Sequence, residues 1–231
     1  MEVEWKVDRD AKHLIFEKIN LKVKSLKGRG VKSVLDLGGG SGWYTWQLKK
    51  IAPEVEIINM DIQIFGEPNK ELSQVIADMT ALPFRNSSFD AVVAHASLHH
   101  VPEKLTNVLK DINRILKPTG TLLIAEPTEG NPISGLAKKV ISTDHHDEGE
   151  KPFHHSTLEK AVKAIFKVQD IEYHFYLSYL APHLVGRTPK SLKKTGLSVT
   201  KCLYSLDEKM LKELPGLRKN SAYISIIAVK E

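Results

Sequence analysis

The chain has 231 residues, 42% hydrophobic and 26% charged, with a formal net charge of +5; this length suits one α/β domain, with or without insertions, and allows a sizeable core. The lone Cys202 excludes a disulfide framework and a multi-cysteine zinc site, and fits a reducing, cytoplasmic setting. No apolar run reaches the ~18–20 residues of a membrane span, and the opening MEVEWKVDRD has no hydrophobic signal region.

Charge is unevenly distributed. Residues 1–31 carry 8 basic and 5 acidic side chains, residues 32–181 carry 15 and 19, and residues 182–231 carry 10 and 4, giving nets of +3, −4 and +6. The plain reading of the C-terminal excess is a solvated basic face. The sharper reading is a segment that meets an anionic surface or substrate.

Residues 8–27 space Leu14, Ile15, Ile19, Leu21 and Val23 as a helix, which Gly28-Arg29-Gly30 ends. The stretch Ser33–Trp43 organises the rest of the chain. Val34, Leu35 and Leu37 read as a buried parallel strand over 32–37, which breaks into Gly38-Gly39-Gly40-Ser41-Gly42 and then a helical pattern ahead of Pro53. Strand, glycine turn and helix form a nucleotide cradle, because glycine admits a ligand to backbone that a Cβ would block. The dinucleotide frame G-x-G-x-x-G fails, since Trp43 and Thr45 stand where it needs glycine, and no Gly-Lys-Ser/Thr phosphate loop is present. Asp36 adds a negative charge suited to an ammonium group.

Residues 55–61 read as a second strand ending in Asp61, suited to accept from two ribose hydroxyls. Residues 74–79 make a third strand and 89–95 a fourth, leading into Ala96-Ser97-Leu98-His99-His100-Val101-Pro102. His99 and His100 are adjacent and expected to point different ways; either is a candidate general base. Residues 103–116 form an amphipathic helix, 121–127 a strand, and 156–166 a helix opened by Ser156 and Glu159 as a capping box. Residues 167–177 and 222–229 complete the strands. Residues 128–156 read as an irregular cover, and 182–220 as an insertion with two short helices. His145-His146-Asp147-Glu148 and His154-His155 carry metal-ligand types, but lack the i,i+4 spacing of a zinc helix, and no metal is expected.

Asp36-Leu37-Gly38-Gly39-Gly40-Ser41-Gly42 resembles motif I of the class I S-adenosylmethionine-dependent methyltransferases. It is most similar to their small-molecule branch, type 11, which includes quinone-biosynthesis C-methyltransferases. Gly39 departs from the cysteine more often found there. Three further runs carry the resemblance: Ala77-Asp78-Met79-Thr80-Ala81-Leu82-Pro83-Phe84 through Phe89-Asp90, the segment 96–102, and Leu116-Lys117-Pro118-Thr119-Gly120 followed by Glu126-Pro127. It covers residues 30–130 firmly and the remainder loosely.

The resemblance implies a Rossmann-like, doubly wound α/β fold with a seven-stranded sheet, mostly parallel with an antiparallel last strand. Residues 1–231 would form one methyltransferase domain, with an N-terminal helical lid at about 8–27 and substrate-side insertions at about 128–156 and 182–220. The implied cofactor is S-adenosyl-L-methionine. Asp36, Gly38, Gly39, Gly40 and Gly42 would hold its methionine part and Asp61 with Ile62 its ribose. Asp78 and Met79 would hold its adenine, and His95 and Ala96 would lie under the methyl. His99 and His100 are the catalytic candidates; Glu126, His154 and His155 are expected to face the substrate. The segment lacks the Asn/Asp-Pro-Pro-aromatic tetrapeptide of nucleic-acid N-methyltransferases, which favours a small-molecule or lipid-like acceptor. Two alternatives remain: an RNA methyltransferase that uses the basic C-terminal segment, and a non-catalytic S-adenosylmethionine-binding partner subunit. The oligomeric state is left open.

Overall fold

The computed structural model describes residues 30–63, 72–134, 152–185 and 188–231. The expected lid at 8–27 and the pair His145-His146 lie outside these residues. Seven strands form one sheet in the order β3-β2-β1-β4-β5-β7-β6. They are β1 (Ser33–Leu37), β2 (Glu56–Asp61), β3 (Ser73–Ile76), β4 (Phe89–His95), β5 (Leu116–Pro127), β6 (Lys167–His174) and β7 (Tyr223–Val229). The first five pair parallel, and β7 pairs antiparallel with both β5 and β6. The chain reverses direction in the strand order beside β1, so the carboxyl ends of β1 and β4 flank a crevice, the place where open α/β sheets take ligands.

The helices cover both faces: α1 (Trp43–Ile51), α2 (Leu105–Ile115), α3 (His155–Lys163), α4 (Ala181–Val185) and α5 (Lys193–Glu213). Alternation along the strands sorts the core. Leu122 and Ile124 of β5 share one face with Ile224, Ile226 and Ala228 of β7, under Leu109 and Ile112 of α2 and Leu158 and Val162 of α3. Leu123 lies on the other face with Val34, Val93 and the α1 residues Tyr44 and Leu48. Farther along that face, Ala125 packs with Phe175, Ala222 and Tyr204 of α5. Burial of each such aliphatic or aromatic side chain contributes roughly 1.5–3 kcal/mol.

Two expectations are corrected. The capping box at Ser156 does not form: the N-cap of α3 is His154, and the Ser156 hydroxyl pairs with His154 Nδ1 at 2.7 Å. The insertion at 182–220 holds one 21-residue helix, α5, with shorter turns around it, rather than two short helices. By propensity Ser198, Thr200 and Ser205 argue for breaks. Their hydroxyls instead donate to the carbonyls four residues back, at 2.9–3.2 Å, which lets polar β-branched and short residues sit inside a helix. Among the described residues no helix is long and apolar enough to cross a membrane.

Candidate active site

The glycine loop closes on its neighbours through backbone. Gly38 and Gly39 both donate to Met60 O, at 2.7 and 3.2 Å, and Gly40 donates to Asp61 Oδ2 at 2.8 Å. Gly38 has φ +71, and a Cβ there would collide with Ser97 Cβ and come within 3.2 Å of Met79 Cε. A Cβ on Gly39 would collide with Asn59 Oδ1. Glycine is therefore needed where the loop meets the segments after β3 and β4 at one point. Gly38, Met79 and Ser97 thus meet at one point, with Asp61 at the loop's edge.

Asp36 sits beneath this loop, 1% exposed, and accepts from Thr45 Oγ1 at 2.5 Å. Burial pushes its carboxyl up to about 7, against the Thr45 hydrogen bond and with help from the charge of Asp61. Asp61 is half-buried and also accepts from the Ile62 N–H at 2.7 Å, whereas the Ile62 side chain is exposed. Asp78 is exposed and accepts from the Thr80 N–H at 2.8 Å, which holds its carboxyl below the usual range. The turn that carries Asp78 and Met79 is pinned from α2. Arg114 donates to Phe84 O and Leu82 O, and Asp111 accepts from the Leu82 N–H at 2.9 Å.

Beyond the loop, Ala96 takes a left-handed φ of +50, a conformation costly for alanine, and holds its place by donating to Ala125 O at 2.8 Å. The His95 ring stacks on Tyr44 with centroids 4.5 Å apart. Burial pushes its imidazole down to about 4, so it is neutral at pH 7.

Glu126 departs from the expected substrate-facing role. It is fully buried, with Oε1 accepting from the Ser97 and Leu98 N–H groups at 2.8 and 2.7 Å and Oε2 paired with His99 Nδ1 at 2.8 Å. The period-two alternation of β5 places it on the same face as Leu122 and Ile124, under residues 97–99, rather than in open space. His99 and His100 do not diverge either. They share a 3-10 turn, with ring centroids 4.3 Å apart, His99 buried against Glu126 and His100 exposed. His154 and His155 also stack, at 4.6 Å, at the start of α3. His155 lies beside Tyr173 and Glu159, and among the described residues no hydrogen bond or ring contact links either histidine to the glycine loop. Among the described residues no group of histidine, cysteine and carboxylate side chains could hold a metal.

Sequence reasoning missed Asn59, Thr45 and Ser97. Asn59, 2% exposed, donates to Gly40 O at 3.2 Å while its Oδ1 is buried without a partner. The signal was an amide inside the apolar run Ile57-Ile58-Asn59-Met60. Ser97 Oγ and His95 Nε2 are likewise buried without partners. Three orphaned polar atoms beside a glycine cradle, with carboxylates at the ends of two flanking strands, fit a polar ligand with hydroxyl and amino groups, as S-adenosylmethionine has.

Residues 35–124 match the methyltransferase domain family. The ubiquinone/menaquinone biosynthesis C-methyltransferase of Dinoroseobacter shibae is 30% identical over 124 residues, 49% of each chain. The malonyl-[acyl-carrier protein] O-methyltransferase of Legionella pneumophila is 28% identical over 127 residues, 51% of this chain and 42% of its own. The chain thus spans about half the length of the curated relatives it matches. A methyltransferase structure from Archaeoglobus fulgidus superposes with a TM-score of 0.54 and 21% identity, covering 95% of this chain and 99% of that one, and bears out the fold. The stretch 35–124, with the cradle, the 78–84 turn and the segment after β4, is thus the part of the chain that matches the methyltransferase domain family.

Proposed function

We propose that the chain transfers a methyl group from S-adenosylmethionine to a small-molecule or lipid-like acceptor by in-line displacement. The observation that carries this reading is the meeting of Gly38, Met79 and Ser97 at one point, with Asp61 at the loop's edge. The cofactor supplies a methyl on a positively charged sulfur, already activated for displacement. The protein's main task is then alignment, an effect that reaches ~7–11 kcal/mol. Gly38–Gly40, Asp61 with Ile62, Asp78 and Met79 would hold the donor, with Asp36 buried beneath the loop and accepting from Thr45. Ser97 and the backbone of His95 and Ala96 would line the methyl end.

Where the acceptor must lose a proton, His99 is the base this geometry favours. Nδ1–H donates to the Glu126 carboxylate at 2.8 Å, which leaves the lone pair on Nε2. Glu126 is a positioning residue: the same carboxylate fixes the ring and, through the Ser97 and Leu98 N–H groups, the turn that carries it. The quinone and acyl-carrier acceptors in the names of the two relatives support a small or lipid-like acceptor. The net +6 of residues 182–231 keeps RNA as the second reading; it requires RNA binding that falls steeply with salt.

A panel of quinols, phenols and acyl thioesters tests the activity. Turnover of one class, with His99→Ala lowering kcat about a hundredfold and cofactor affinity little changed, is the expected outcome. Glu126→Gln should lower kcat with cofactor affinity little changed, because the His99 ring and the 97–99 turn lose the carboxylate that fixes them. Cofactor binding without turnover on any acceptor would favour the partner-subunit reading. An unchanged rate in His99→Ala would leave alignment as the whole of catalysis.

A further inference from the structure

At the carboxyl end of β5, on its β7 side, four aromatic side chains gather. Phe175, Tyr179, Tyr204 and Tyr223 pack together beside Ala125. Phe175 and Tyr204 are buried, whereas Tyr179 and Tyr223 are partly exposed. Their frame is pinned at three points. Tyr223 opens β7 opposite Pro127, one residue beyond Glu126, so it stands at the crevice edge of the sheet. Tyr179 sits in the 3-10 turn Ser178–Leu180, where the Ser178 N–H and hydroxyl both donate to Asp207 of α5. Asn131 donates to Phe175 O and Asn220 O and so ties the segments before β7 and after β6. The Phe175 and Tyr223 rings meet edge-on, with centroids 5.9 Å apart. Among the described residues no hydrogen bond engages the Tyr223 hydroxyl, whereas the Tyr173 hydroxyl donates to Glu159 at 2.7 Å. Unlike the Tyr204 hydroxyl, that of Tyr223 is not enclosed. Burial, the neighbouring Tyr179 and the charge of Glu126 all push the Tyr223 phenol above the usual tyrosine range, so it keeps its proton to donate.

We propose that Tyr223 binds the methyl acceptor, its hydroxyl donating to an oxygen of an uncharged aromatic molecule whose ring lies against Tyr179 and Tyr223. The inference deepens the methyltransferase reading and rests on it. Glu126 connects this wall to the base. Its carboxylate fixes His99 at 2.8 Å, and its charge acts on the Tyr223 phenol. Glu126 leaves β5 on the face of Leu122 and Ile124, and Tyr223 leaves β7 on the face of Ala125. His99 and Tyr223 therefore reach the end of β5 from opposite faces, and an acceptor lying over that end can meet both. The chemistry of the wall selects the acceptor's class. Partly exposed aromatic rings favour a ring, which packs offset or edge-on against them, over an aliphatic chain. A single unengaged donor suits one acceptor oxygen. The negative charge of Glu126 disfavours a carboxylate or phosphate at the same point. A phenol or quinol meets all three conditions, and an acyl thioester that carries a free carboxylate does not.

Calorimetry of the full chain tests this with 2-naphthol, an uncharged probe at pH 7, and 2-naphthoate, its anionic counterpart. The chain is first titrated with the demethylated product of S-adenosylmethionine. Failure of that titration is failure of the methyltransferase reading; the probe titrations, made on the loaded chain, judge the acceptor wall alone. 2-Naphthol should bind the loaded chain, and 2-naphthoate about tenfold more weakly or worse. Tyr223→Phe, which keeps the ring, should weaken 2-naphthol binding roughly five- to tenfold and leave binding of the demethylated product unchanged. Tyr204→Phe removes a hydroxyl enclosed in the same aromatic cluster and should change neither. Four results would each overturn the proposal: no binding of 2-naphthol to the loaded chain, 2-naphthoate binding as tightly as 2-naphthol, parent-like 2-naphthol binding in Tyr223→Phe, or an equal loss in Tyr223→Phe and Tyr204→Phe.

Discussion

The two halves of the sheet's carboxyl edge are built on opposite terms. At β1, β2 and β4 the segments approach through missing side chains. Gly38 and Gly39 make room, and Asn59 Oδ1, Ser97 Oγ and His95 Nε2 are enclosed without partners. At β5, β6 and β7 the segments are braced by carboxylates and an amide whose hydrogen bonds are made. Glu126 accepts from residues 97–99. Asp207 of α5 accepts from the Tyr176, Leu177 and Ser178 N–H groups at 2.8–2.9 Å and from the Ser178 hydroxyl. Asn131 donates to Phe175 O, Tyr176 O and Asn220 O. The Tyr204 and Ser221 hydroxyls and His155 Nδ1, buried and unpartnered, are exceptions on this side, but they do not border the glycine loop. A buried polar group without a partner costs ~1–3 kcal/mol, so a cluster of them marks where a ligand completes the structure, while a saturated carboxylate marks architecture.

The strongest way to break this contrast is to add a side chain on the first side and remove one on the second. Gly38→Val should abolish measurable cofactor binding, a loss of at least ~3 kcal/mol, because its Cβ meets Ser97 and its φ of +71 strains valine. Circular dichroism should remain that of the parent. Asp207→Ala should do the reverse: about 3–5 kcal/mol lost in urea unfolding, as three backbone donors are orphaned, with cofactor affinity little changed. If Asp207→Ala weakened the cofactor as much as Gly38→Val, the two sides would not be separable.

The contrast sharpens with pH. Asp36 rises from 3.8 to about 7 in the fold, so over that range the native state holds a proton that the unfolded chain releases, and stability falls as pH rises. His95 drops from 6.5 to about 4, so there the unfolded chain binds the extra proton, and stability rises with pH. Between pH 4 and 6.5 the two slopes oppose. Asp36→Asn should unmask a rise on the order of 2–3 kcal/mol across that window, and His95→Gln a fall of similar size. Identical pH profiles in parent and both variants would remove the two groups from this account. Asp61→Ala should cost ~1.5–3 kcal/mol of cofactor affinity through lost charged acceptance, read by calorimetry, and a parent-like value would place the ribose elsewhere.

Much of the fold was legible because it rests on local signals. Val34-Leu35-Asp36-Leu37 before four glycines, Phe89–His95, and Leu105, Leu109 and Ile112 at helical spacing each read correctly from pattern alone. The cradle was legible as well, since a glycine that must be glycine shows in one sequence. The roles of Glu126 and Asp207 were not. Each carboxylate is placed by donors 27–31 residues away, and a strand-end acid looks the same whether it faces a ligand or three backbone amides. Asn59 was visible as a polar break in an apolar strand, but its partner Gly40 lies across the loop. The unbroken α5 was hidden because helix propensity counts Ser198, Thr200 and Ser205 against it, while their backbone hydrogen bonds and the buried Tyr204 and Leu211 decide the outcome.

The central claim is that the crevice at Gly38, Asp61 and Met79 is made for S-adenosylmethionine rather than a dinucleotide. Titration calorimetry of the parent chain with S-adenosylmethionine, its demethylated product and NAD tests it most directly. The account predicts micromolar binding of the first two, about −8 kcal/mol, lost in Gly38→Val, with NAD far weaker; NAD binding tighter than S-adenosylmethionine would contradict it.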